Sequence, residues 1–214
     1  MYVCSFPYNK DNSWVQASDY ILFSKLAIAR NGFNTNWLDK FKSKLVEQIQ
    51  WERPISPISG LPIRRSASWF CKCKCPYAYA GISFTPQPFP SWFLPFQAHV
   101  LAIAQCKHIG FDSCNINMYQ DGTENVDWHA DNEAIFALPV ADDVPILSLS
   151  LGAKRTFLVK CNANNKVSKL ELDNGDLVFM GRNLQKSHKH KVPCDRTQDL
   201  RINITWRKLV NCKC

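Results

Sequence analysis

No apolar run in these 214 residues approaches the roughly 18 that a membrane-spanning helix requires. The first residues, Met1-Tyr2-Val3-Cys4-Ser5-Phe6-Pro7, lack the basic stretch and apolar core of a secretory leader. A chain of the nucleus or cytoplasm is therefore expected, with no membrane partner. Internal repeats and low-complexity tracts are missing. Acidic side chains are few: 18 Asp and Glu stand against 26 Lys and Arg, a net charge of +8. That balance favours an anionic partner such as nucleic acid.

Cysteine is abundant instead, at ten residues. Without a leader, a reducing compartment is the default and most are expected as free thiols. Neither Cys71-Lys72-Cys73-Lys74-Cys75 nor the terminal Cys212-Lys213-Cys214 has the C-x-x-C spacing of a structural zinc site. They read as alternating strand residues whose lysines face water or phosphate, or as a second metal site.

The length fits one domain, 34–214, with residues 1–33 as an extension packed on it. Trp37, Phe41, Leu45 and Ile49 recur every four residues and predict an amphipathic helix capped by Asn36. Residues 52–68 are rich in Pro, Ser, Ile and Gly and predict a loop or short hairpin. Four prolines between Thr85 and Pro95 predict a rigid connector, then an apolar helix that stops near Gly110. From Cys114 onward the period is two. Strands are expected at 114–119, 125–129, 145–151, 155–160, 167–172, 176–180, 188–192 and 200–207. Helices first and many short strands later predict an α+β, mostly β fold: a double-sheet jelly roll with the N-terminal helices backing one sheet.

Two strands carry chemistry. In Val126-Asp127-Trp128-His129-Ala130-Asp131, alternation points His129 and Asp131 the same way. In Arg201-Ile202-Asn203-Ile204-Thr205-Trp206-Arg207, two arginines, Asn203 and Thr205 share one face, and Ile202, Ile204 and Trp206 share the other. Two guanidiniums on one face suit a dicarboxylate, which each can grip through a bidentate fork. His188 or His190, in Ser187-His188-Lys189-His190-Lys191-Val192-Pro193, could join His129 and Asp131 in a two-histidine, one-carboxylate set for Fe(II). Parity does not separate these two histidines.

These residues, in this order, resemble the AlkB-like Fe(II)- and 2-oxoglutarate-dependent dioxygenases. The resemblance runs from about Trp51 to Lys208. It includes Asn117-x-Tyr119-x-Asp121-Gly122, His129-x-Asp131-x-Glu133, Ser148-x-Ser150-x-Gly152-x-x-Arg155, Asn174-Gly175-Asp176, His190-x-Val192-Pro193 and the Arg201–Arg207 strand. It implies a double-stranded β-helix with His129, Asp131 and His190 as iron ligands. It implies Asn117, Tyr119, Arg201, Asn203, Thr205 and Arg207 as the 2-oxoglutarate site, with Arg207 at the metal end and Arg201, helped by Tyr119, at the distal carboxylate. O2 is the other co-substrate. The implied activity is oxidative demethylation of N-alkylated bases, such as 1-methyladenine and 3-methylcytosine, with release of formaldehyde, succinate and CO2.

A base must leave its stack to reach such a site. The nucleotide-recognition region is expected at about 52–90, with Tyr77 and Tyr79 stacking on the base, Trp69 stacking or wedging, and Arg64 on the nucleotide. Glu133 is expected at a base edge, and Lys72 and Lys74 at phosphates. The tyrosine pair, Arg64 and the basic balance favour the DNA-repair branch of the family over members that act elsewhere. DNA is expected ahead of RNA, though the sequence hardly separates the two, and a monomer is expected. The alternatives are the same chemistry on RNA, oxidation of protein side chains, which should not need a basic aromatic entrance, and a nucleic-acid-binding module with a dead iron site.

Overall fold

The computed structural model describes residues 14–16, 26–30, 33–136, 144–181 and 183–212. In chain order the elements are β1 (Trp14–Gln16), β2 (Leu26–Ala29), α1 (Thr35–Gln48), β3 (Ser66–Cys71), β4 (Tyr77–Tyr79), β5 (Ile82–Phe84), β6 (Pro86–Gln87) and α2 (Phe93–Ile103). They continue with β7 (Ser113–Tyr119), β8 (Val126–His129), β9 (Ile146–Gly152), β10 (Arg155–Cys161), β11 (Val167–Leu172), β12 (Leu177–Met180), α3 (Leu184–Ser187), β13 (His188–Val192) and β14 (Arg201–Arg207). Two sheets face each other. The major sheet runs β1-β2-β12-β9-β14-β7-β3-β6 and the minor sheet β11-β10-β13-β8; β4 and β5 form a separate hairpin. This is the expected jelly roll. No helix among the described residues is long and apolar enough to cross a membrane.

Period-two patterning decides which face each strand buries. On β14, Ile202, Ile204 and Trp206 join a core with Leu38, Phe41 and Leu45 of α1 and Phe93, Phe96 and Val100 of α2. The two helices thus back the major sheet, as expected. The opposite face looks into the space between the sheets, where Ile146, Val178, Met180, Phe157, Val159 and Val192 form a second core. Both faces of β14 are therefore covered. The pattern of alternating arginines, which on a solvated strand would mean nothing, lies wholly inside.

Several local expectations shift. Helix α1 begins one residue before Asn36, and its cap is Asn34, whose side chain accepts from the Trp37 amide at 3.1 Å. An N-cap needs extended backbone, and Asn34 has it. Helix α2 ends at Ile103, and a separate 3-10 turn, Lys107–Ile109, carries the chain to Gly110 at φ +68°. The N-terminal segment does more than pack on the domain: β2 pairs with β12 and β1 with β2, extending the major sheet. Lys213 and Cys214, the end of the terminal cysteine motif, lie outside the described residues. Cys75 and Cys212 are joined as a disulfide, where free thiols were expected.

Candidate metal centre and its pocket

Strands β8 and β13 pair antiparallel with His190 directly opposite His129, and the register slips between His190 and Val192. A slip of this kind turns side chains locally and recurs beside functional sites. The direct opposition of His129 and His190 places the two imidazoles 4.2 Å apart, centroid to centroid. Asp131, just past the end of β8, comes between them: Oδ1 is 3.8 Å from His129 Nε2, and Oδ2 is 3.7 Å from His190 Nε2. All three ligand atoms lie within 4.8 Å of one another. The ambiguity between the two late histidines is resolved by cross-strand pairing. His190 faces His129, while His188 turns its Nδ1 to Ser187 Oγ at 2.8 Å.

The surroundings hold these groups in ligand form. His129 Nδ1 donates to the Asp127 carbonyl at 2.7 Å, which leaves the Nε2 lone pair for a cation. Burial lowers the His129 pKa. Burial, then the neighbouring His129, lowers that of His190 to about 3. Burial alone would raise the Asp131 carboxyl, but Arg207 and the two histidines bring it down to about 2. Two neutral imidazoles beside one carboxylate are the donor set that a divalent ion needs, without competing protons. Gln185 Oε1 accepts the Asp131 amide at 3.0 Å and fixes the backbone of that ligand.

The pocket extends from this point along the inner face of the major sheet. Asn117 and Tyr119 of β7 and Asn203, Thr205 and Arg207 of β14 line it, with Ser148 of β9. Arg207 is 3 % exposed and Arg201 1 %. Arg207 Nη2 lies 2.8 Å from Asp131 Oδ2, at the metal end. Arg201 lies six residues away at the far end of the strand, against the ring of Tyr119, which lines the pocket where Arg201 itself does not. Its Nη2 donates to Ser150 Oγ at 3.0 Å, yet Nε and Nη1 are buried with no hydrogen-bond partner among the described residues. An orphaned, buried guanidinium edge is costly unless a ligand fills it. A dicarboxylate between the triad and Arg201 fits that demand.

The expected substrate residues divide. Tyr77 and Tyr79 share a face, with rings 6.4 Å apart and nearly parallel. Tyr79 is half-buried at the mouth, 6.2 Å from the His129 ring. Tyr77 is buried, donates to Glu133 Oε1 at 2.8 Å and accepts from Arg207 Nη1 at 3.1 Å. Burial raises its pKa well above the usual range, so it stays a phenol. Glu133 is engaged by Tyr77 and Arg207 and lines a neighbouring cavity with Asp131, Phe136 and Arg207 rather than the pocket that holds both histidines. Trp69 is 0 % exposed, donates to the Cys75 carbonyl at 2.9 Å and stacks on Tyr77, so it supports that ring and cannot wedge into a substrate.

Arg64 points away: it is exposed and absent from the pocket wall. Arg65 lines the pocket instead, buried, with Nε donating to Asn117 Oδ1 at 2.7 Å and its guanidinium over Tyr79. Parity carried the signal. Arg65 has the parity of Ala67 and Trp69, whose partners across β7 are the inward-facing Asn117 and Asn115, whereas Arg64 has that of Phe70, which packs towards the helices. Lys72 and Lys74 are exposed.

Comparison with known proteins agrees with this geometry. The family model of the 2OG-Fe(II) oxygenase superfamily matches residues 25–207. Alpha-ketoglutarate-dependent dioxygenase alkB homolog 3 of Rattus norvegicus is 27% identical over 182 residues, covering 79% of this chain and 59% of that protein. The RNA replication protein of Grapevine virus A is 36% identical over 97 residues, 45% of this chain and 5% of that protein. The chain spans about three fifths of the length of the alkB homolog 3 proteins that it matches in rat and mouse. The solved structure of OsALKBH1 superposes with a TM-score of 0.61 at 16% identity, covering 86% of this chain and 98% of that one, a likeness of fold. The chain belongs to the 2OG-Fe(II) oxygenase superfamily, as an AlkB-like member whose cofactors are Fe(II), 2-oxoglutarate and O2.

Proposed function

We propose that this chain oxidatively demethylates N-alkylated bases in nucleic acid, such as 1-methyladenine and 3-methylcytosine in DNA. The observation that carries the reading is the mouth of the pocket. Tyr79, on the short β4–β5 hairpin, presents a ring beside His129, and Arg65 lies over that ring, 5.8 Å from its centroid. A flat face beside a metal triad suits a flat, flipped-out base. The net charge of +8 supports an anionic polymer over a neutral substrate.

His129, Asp131 and His190 would hold Fe(II), and Arg207 and Arg201 the two carboxylates of 2-oxoglutarate. When bound, the iron and its co-substrates supply the oxidising power. The protein's share is position and dryness. Tyr79 fixes the base plane, and Phe157, Met180 and Val192 keep the pocket wall apolar. The reaction balances as methylated base, O2 and 2-oxoglutarate giving unmethylated base, formaldehyde, succinate and CO2.

A second reading is the same chemistry on RNA. It is supported by the 36% identity with a viral RNA replication protein. Mass spectrometry of 1-methyladenine and 3-methylcytosine oligonucleotides, as DNA and as RNA and in single and double strands, tests both. Loss of the mass of one CH2 group, as N–CH3 becomes N–H, with equimolar formaldehyde is the expected result, and the preferred polymer chooses between the readings. Succinate formation that no methylated oligonucleotide accelerates would overturn the nucleic-acid assignment.

A further inference from the structure

Far along the chain from the iron ligands, three sulfurs meet. Cys73 and Cys75 sit in the loop between β3 and β4, and Cys212 near the C-terminus reaches them. The three sulfur atoms lie within 4.8 Å of one another. Cys75 and Cys212 are bonded, and Cys73 Sγ is 2.9 Å from Cys212 Sγ. A disulfide satisfies two sulfurs and has no use for a third against it. Three sulfurs gathered at one point suit a shared soft cation. In tetrahedral zinc thiolates, with Zn–S of about 2.3 Å, the sulfurs stand roughly 3.8 Å apart, so once the Cys75–Cys212 bond is broken the three sulfurs, two of them now 2.9 Å apart, would have to spread by about 1 Å to seat the ion.

We propose that when a thiol reductant cleaves Cys75–Cys212 to two thiols by thiol–disulfide exchange, itself leaving as its disulfide, Cys73, Cys75 and Cys212 bind one zinc ion, a second metal site distinct from the iron centre. Each thiol gives its proton to solvent as its Zn–S bond forms, and a fourth ligand, water or thiol, completes the tetrahedron. The exposed Lys72 and Lys74 flank Cys73 and offset the negative charge that three thiolates leave on a divalent ion.

The site would be structural. The Cys75 carbonyl accepts from Trp69 Nε1, and Trp69 backs Tyr77. On the other side, the Val210 and Asn211 amides donate to the Ile135 carbonyl, in the turn that follows Asp131 and Glu133. One ion would tie the aromatic hairpin at the pocket mouth to the C-terminal segment and, through it, to the turn behind the metal ligands.

The test uses the full chain purified under reductant. Elemental analysis should find about one zinc per chain that survives removal of iron by a weak chelator. Reconstitution with Co(II) alone should give sulfur-to-cobalt charge-transfer absorption, which the histidine and carboxylate triad cannot produce. Cys73→Ser and Cys212→Ser should each abolish both signals and leave Mn(II) binding at the triad unchanged. Cys75 is buried, so if Cys75→Ser fails to fold, the half-buried Cys73 still decides. A zinc-free protein with no thiolate band, in which thiols alkylated at lysis leave Cys75 and Cys212 cross-linked, would overturn the proposal in favour of the disulfide.

Discussion

Arg207 grips Asp131: Nη2 of the one is 2.8 Å from Oδ2 of the other, and the same oxygen faces His190 Nε2 at 3.7 Å. Asp131, a member of the metal triad, is thus held by an arginine of the pocket wall. Arg207 orients Asp131 and keeps it ionised, while its Nη1 is held by Tyr77. The guanidinium is fixed from two sides before any co-substrate arrives.

That arrangement makes Arg207→Lys costly. An ammonium cannot hold a carboxylate as a fork, so the KM for 2-oxoglutarate should rise at least ~10-fold. Arg201→Lys should do the same from the distal end. Succinate formation against 2-oxoglutarate concentration measures both, and unchanged KM values would remove these arginines from the co-substrate site.

The assignment of the triad predicts a sharp contrast between neighbours. Mn(II) titration by calorimetry should show binding lost in His129→Ala, Asp131→Ala and His190→Ala. His188→Ala should retain it, because His188 lies against Ser187 and outside the cluster. Manganese prefers nitrogen and oxygen donors over thiolates, so the cysteine cluster does not confuse the readout.

Tyr79 and Trp69 should separate by what they break. Tyr79→Ala removes a stacking face worth about 1–3 kcal/mol, a rise of roughly 5- to 150-fold in KM for a methylated oligonucleotide, with Tyr79→Phe retaining most of it. Trp69→Ala should instead lower thermal stability, by about 3–5 kcal/mol, because it empties a fully buried site. A Tyr79→Ala enzyme with unaltered KM would show that the base stacks elsewhere.

Gly122→Ala should destabilise the fold. A Cβ there would lie 2.6 Å from the Asp195 carbonyl oxygen, in a segment held by two backbone hydrogen bonds: Gly122 to Thr197, and Asp195 to Gly122. Backbone cannot step aside as a flexible side chain can, so a loss of about 1–3 kcal/mol is expected in chemical denaturation.

The sequence by itself determined the strand period, the sidedness of β7 and β14, and the His129-x-Asp131 pair, because a strand's two faces follow from residue parity alone. The boundaries of α1 and α2 were less legible: Asn36 was expected as the cap and Asn34 supplies it, because the extended backbone before the first turn, not residue type alone, sets the cap. Tertiary structure decided everything that depends on which strands become neighbours. It chose His190 over His188 by pairing it with His129, and put Arg65 rather than Arg64 in the pocket. It sank Trp69 into the core, turned Glu133 towards Tyr77 and Arg207, and carried Cys212 to Cys73 and Cys75. These are contacts between residues far apart in the chain, fixed by the order of strands in two facing sheets, which no local pattern encodes.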